Sequence, residues 1–105
     1  MAETWVDACA ADAVGVDDVI RFDHGERTFA IYRSGRDDYF ATDGLCTHEA
    51  AYLAEGFIID DAIECPLHNG RFSFRTGKAL GAPACIDLKT YPVKVEGGRI
   101  LIDIG

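Results

Sequence analysis

A chain of 105 residues holds one ordinary domain rather than two. With 49% hydrophobic residues it can build a real core, which excludes general disorder. Eighteen acidic residues against ten basic ones leave a net charge of −8, which argues against nucleic acid as a partner and either favours a protein with a basic docking face or serves solubility alone.

In chain order, the pattern is one of short apolar or alternating runs separated by Gly, Asp and Asn, with no convincing helical period. The start, from Met1 to Trp5, lacks the basic and apolar sections of a secretory leader, so a cytoplasmic location is expected. Trp5–Ala8 is predicted as the first strand and Asp12–Val14 as a single helical turn. Val19–Phe22 and Thr28–Tyr32 form strands joined through Asp23–Glu26, and Tyr39–Thr42 follows a Ser-Gly-Arg-Asp turn. Ala62–Glu64 and Arg71–Phe74 are short strands on either side of 65–70. Lys89–Glu96 and Arg99–Ile102 pair across Gly97-Gly98, a strong hairpin signal, with Pro92 at an edge or bulge. No apolar run approaches the roughly 20 residues of a membrane helix. The fold class is all-β, with residues 1–105 as one domain.

Two stretches, 44–56 and 65–70, fall outside the strand pattern, follow predicted strands and carry the chemistry. Cys46-Thr47-His48 is a Cys-x-His pair and Cys65-Pro66-Leu67-His68 a Cys-x-x-His pair. Without a sign of export, these cysteines suggest metal ligation before disulfides. Two metal groups accept two Cys and two His: a tetrahedral zinc ion, or a [2Fe–2S] cluster in which imidazoles replace two thiolates on one iron. Zinc fingers usually pair like with like along the chain. Here each loop supplies one of each, and that mixed pairing favours the cluster.

At this point the chain resembles a known family. Gly-Leu-Cys46-Thr-His48, followed by Glu-Cys65-Pro-Leu-His68-Asn-Gly-Arg-Phe, resembles the two cluster-binding boxes of Rieske proteins. It is most similar to the Rieske ferredoxins of bacterial ring-hydroxylating dioxygenase systems. The start at Trp5, the stretch from Gly77 to Pro83 and the run from Leu88 to Glu96 share that likeness. The resemblance implies an antiparallel β-sandwich base with a small cluster-binding subdomain, spanning about 44–84 and formed by two loops. It implies one Rieske-type [2Fe–2S] cluster held by Cys46, His48, Cys65 and His68. One departure is Asn69, where many members have Gly; Asn tolerates a left-handed backbone best among non-Gly residues, so the loop geometry is expected to persist.

The implied role is one-electron carriage from a NAD(P)H-dependent flavin reductase to a terminal Rieske oxygenase, with both partners docking near His48 and His68. No catalysis, nucleic acid or membrane is expected. Two ferric ions, two sulfides and two thiolates sum to zero, whereas four thiolates leave a dianion, so the Rieske set accepts an electron more readily. Respiratory Rieske proteins add a disulfide and two hydroxyls, at positions matching Ala51, Leu67, Gly70 and Phe72 here. All are absent, so a potential on the order of −150 mV is expected. The competing roles are a small subunit of a nitrite-reductase-type complex and a zinc-stabilised binding module.

The remaining residues of interest are expected to be mundane. Cys9 packs in the first strand. Cys85 packs in a loop that covers the cluster in the family, where Pro83 is either a shield or a simple turn residue. His24 is an exposed turn residue and Glu49 a solvated loop carboxylate.

Overall fold

The computed structural model describes residues 3–47, 51–67, 70–81 and 86–105. Ten strands are present among them: β1 Trp5–Ala10, β2 Asp18–His24, β3 Arg27–Arg33, β4 Tyr39–Asp43, β5 Phe57–Ile59, β6 Ala62–Glu64, β7 Arg71–Ser73, β8 Thr90–Tyr91, β9 Val93–Glu96 and β10 Arg99–Asp103. They form three antiparallel sheets, ordered β1-β10-β9, β2-β3-β4-β8 and β5-β6-β7. Two 3₁₀ turns, Ala11–Ala13 and Leu53–Glu55, complete the described elements.

The four-stranded sheet is the middle layer, and β3 shows why. Side chains on a strand alternate between faces, yet Phe29, Ala30, Ile31 and Tyr32 are all fully buried. Phe29 and Ile31 pack with Val14, Ala41, Tyr91, Ile100 and Ile102, closing a β-sandwich against the first sheet. Ala30 and Tyr32 pack on the other side with Leu53, Ile63, Phe72, Phe74 and Leu88, the core beneath the third sheet. The Tyr32 ring stacks on Phe74 at 4.8 Å, and its hydroxyl shares a 2.8 Å hydrogen bond with Thr42. Burial raises the Tyr32 phenol well above its ordinary range, so it stays neutral.

Seven of the eight predicted strands are present, four of them longer by a residue or two, Val19–Phe22 longer by three and Arg71–Phe74 shorter by one. The β2–β3 connection is tighter than predicted: His24 pairs with Arg27, and only Gly25 and Glu26 turn, with Gly25 at φ +62°. The single strand predicted over Lys89–Glu96 is corrected. It is two strands in two sheets, because Pro92 cannot donate to a ladder. The chain changes layer there, and the Pro92 carbonyl accepts from the Asp103 N–H at 3.0 Å. Strand β5 had no sequence signal, since its hairpin to β6 turns through Asp60 and Asp61, at φ +49° and +62°, rather than through Gly or Asn. The hairpin at Gly97-Gly98 is present, with both residues at positive φ.

The third sheet joins the middle one through a narrow neck. The Gly44 N–H donates to the Thr28 carbonyl on entry, and on return the Leu88 N–H donates to the Gly77 carbonyl at 2.7 Å. A Cβ on Gly77 would lie 2.2 Å from the Leu88 carbonyl oxygen, and its φ is +79°. Gly77→Ala is therefore expected to cost more than about 1 kcal/mol of unfolding free energy, measured by denaturant titration; an unchanged midpoint would show that the neck is not held as described.

Candidate metal centre

Two stretches of equal length, 46–51 and 65–70, each open on a cysteine and are closed at their ends by one backbone bond. The Cys46 N–H donates to the Ala51 carbonyl at 2.9 Å, and the Cys65 N–H donates to the Gly70 carbonyl at 2.7 Å. Immediately outside the loops, Leu45 bridges Tyr52 and Glu64 pairs with Arg71. Each loop is thus closed at its base by the same backbone bond and clamped by a cross-strand pair. Sequence spacing shows the Cys and His but not this common closure, which depends on carbonyls at Ala51 and Gly70.

Clamping continues through side chains. Arg21 lies over the Tyr52 ring at 3.8 Å beneath the first loop, and the Arg71 guanidinium donates to Glu64 at 2.9 Å beneath the second. The segment between the loops returns against β6 at Gly56, where a Cβ would lie 2.1 Å from the Glu64 carbonyl oxygen. Only glycine lets it pass so close to the residue preceding Cys65. On the sandwich side, the Tyr91 hydroxyl donates to the Asp43 carboxylate at 2.5 Å and accepts from Arg27 at 3.1 Å, fixing the strand that leads into the first loop. Burial first, and then the Asp43 hydrogen bond, raise the Tyr91 phenol, so it keeps the proton it donates.

Cys46 and Cys65 are 6% and 1% exposed and belong to one cluster of buried residues. Around them are Ala51, Leu53, Ile63, Phe72, Phe74 and Leu88, a dry apolar floor. Two buried thiols on opposed loops over such a floor suit an iron–sulfur group, whose thiolate side needs soft ligands and exclusion of water. Phe72 is fully buried and brings no hydroxyl, and Leu67 is 58% exposed. His48, Glu49, His68, Asn69, Pro83 and Cys85 lie outside the described residues.

The other candidates stand apart. Cys9 sits at the β1 bulge, half-buried against the sandwich core; burial raises its thiol, as expected of a packing residue. His24 is exposed at the end of β2, with its ring 6.2 Å from Phe22. Thr47, unnoticed in the sequence, ties two segments together: its hydroxyl donates to the Ile86 carbonyl at 2.6 Å. That bond fastens the Cys-x-His turn to the segment leading out of 82–85.

Fold and site together define a small all-β domain that presents two buried cysteines, one from each of two similarly closed loops. Residues 4–92 match the Rieske [2Fe–2S] domain, and the chain belongs to that family. Its cofactor is a Rieske-type [2Fe–2S] cluster. The chain is 45% identical over 104 residues to the ferredoxin component of a naphthalene 1,2-dioxygenase system from Pseudomonas aeruginosa, covering 99% of each. It is similar (TM-score 0.89, 35% identity, 94% and 92% coverage) to a chain in the complex of reduced oxygenase and oxidized ferredoxin of carbazole 1,9a-dioxygenase. A nitrite reductase small subunit from Mycobacterium tuberculosis shares the fold (TM-score 0.86, 97% and 96% coverage) at 19% identity.

Thr47→Val is expected to lower stability by about 1 kcal/mol, a fall of about 5 °C in the thermal midpoint. Scanning calorimetry of the holoprotein checks this; an unaltered midpoint would mean that the Thr47–Ile86 bond holds nothing.

Proposed function

We propose that the protein is a one-electron carrier of a ring-hydroxylating dioxygenase system. It passes electrons from a NAD(P)H-dependent flavin reductase to a terminal Rieske oxygenase and performs no catalysis itself. The observation that carries this reading is the likeness to a dioxygenase ferredoxin component over 99% of both chains. The likeness to a nitrite reductase small subunit, at 19% identity, extends to the fold alone.

In this reading residues 1–105 form a single domain, and 44–84 form the cluster-binding subdomain. Cys46 and Cys65 hold one iron, and His48 and His68 hold the other. The cluster supplies a one-electron Fe(III)/Fe(II) couple when bound. The chain fixes its surroundings: the backbone bonds closing both loops hold the cysteines in place, and the apolar floor keeps water from their inner side. Partners dock near His48 and His68, where Leu67, between Cys65 and His68, is exposed. A cytoplasmic location fits a carrier fed by NAD(P)H, and no helix among the described residues is long and apolar enough to cross a membrane.

Two measurements test this. His48→Ala and His68→Ala, like Cys46→Ala and Cys65→Ala, should abolish the visible spectrum and the reduced-state paramagnetic signal of a Rieske centre, while Cys9→Ala keeps both. A colourless protein with one zinc would leave only the binding-module reading. The potential should be on the order of −150 mV, because Phe72 and Gly70 offer no hydroxyl and Ala51 and Leu67 no disulfide; a value above about +100 mV contradicts it.

A further inference from the structure

The charge of −8 is not spread along the chain. Between Arg36 and Arg71 there are eight Asp and Glu residues and no Lys or Arg, whereas the other ten acidic residues are matched by the ten basic ones. Along the sequence the imbalance falls in the stretch that contains both cysteine loops, and in the fold Asp37, Asp38, Asp61 and Glu64 of that stretch are paired with Arg33, Arg75 and Arg71.

Within that stretch β5 is a sheet edge, paired on one side only with β6. Ile58 turns inward to the core, and Phe57 and Ile59 turn outward, 62% and 41% exposed. Exposed Glu55 and Asp60 flank them, and neither enters an ion pair among the described residues. The opposite edge differs. There β7 is extended by the Phe72–Ala79 bridge, and Arg71 and Arg75 along it are paired with Glu64 and with Asp61 and Asp38. The small sheet thus has one edge with unpaired carboxylates around exposed apolar side chains and one whose arginines are matched by carboxylates.

We propose that the β5 edge, Phe57 and Ile59 framed by Glu55 and Asp60, is a docking surface for the electron-accepting oxygenase, which meets it with a basic face around an apolar pocket. This rests on the carrier reading. Phe57 pairs with Glu64, the residue before Cys65, so the surface begins at the foot of the second cysteine loop. Because Glu55 and Asp60 enter no ion pair among the described residues, whereas the arginines of the opposite edge are paired with carboxylates, a basic partner is drawn to the β5 side. The surface therefore selects an orientation as well as a partner.

The test uses the holoprotein and, as probe, the terminal oxygenase of the Pseudomonas aeruginosa naphthalene 1,2-dioxygenase system. Binding is followed by titration calorimetry and electron delivery by stopped flow at low and high salt. Phe57→Ser should weaken binding about tenfold. Asp60→Lys should slow association about tenfold at low salt and little at high salt. Val95→Ser, a change at another exposed apolar residue, on β9, should alter neither. Unchanged affinity in Phe57→Ser with electron delivery intact overturns the surface and leaves the carrier reading standing. A wild-type protein that delivers no electron and binds no oxygenase overturns both. A dimer in solution that Phe57→Ser dissolves would assign the strand to a second copy of this chain, and also overturns the proposal.

Discussion

Everything in this molecule depends on β3 being buried on both faces. A strand of a two-layer sandwich normally shows one face to water and alternates apolar with polar residues. Phe-Ala-Ile-Tyr at 29–32 does not alternate, because Ala30 and Tyr32 meet a second core where a sandwich would meet solvent. The small residue and the large one have distinct tasks there. Ala30 leaves room for the third sheet to approach, and Tyr32 fills that room, its ring on Phe74 and its hydroxyl on Thr42. Full burial of that phenol is tolerable because Thr42 satisfies it, and Thr42 passes the bond on to the Asp43 carbonyl. The same strand therefore closes the sandwich and carries the floor on which both cysteines rest.

That shared strand makes one core continuous between the base and the layer that carries the cysteines. Two backbone bonds of the same kind close the two loops, and their necks are fixed by Arg21 over Tyr52 and Arg71 on Glu64. Both ion-pair and cation–π contacts are partly solvated and individually weak. Their value lies in location, since each sits one residue from the base of a loop.

The sequence was legible where local chemistry is decisive. Gly97-Gly98 and Gly25 announce hairpins because only such residues enter positive φ without strain. The paired Cys-His motifs sit in loops because neither stretch has strand alternation. What stayed hidden depends on distant partners. Strand β5 is three residues long and turns through two aspartates, so only its pairing with β6 makes it a strand. Pro92 was visible as an interruption, but which sheet each half of 89–96 joins is decided by β4 and β10, far away in sequence. Thr47 carries no motif, and its bond to Ile86 spans 39 positions.

A three-residue edge strand with two exposed apolar side chains is ordinarily a hazard, because it offers both a ladder and a greasy face to another copy. Here Glu55 precedes it and Asp60 follows it, so two copies approaching edge to edge would bring like charges together. The same carboxylates attract a basic face. One pair of charges thus opposes self-association and admits a partner of opposite sign. The contact that results has a small apolar centre and a charged, solvated rim, a composition that favours fast arrival over long residence. A carrier must leave one protein to reach the next, and an edge of this length, held by charge more than by area, is suited to letting go.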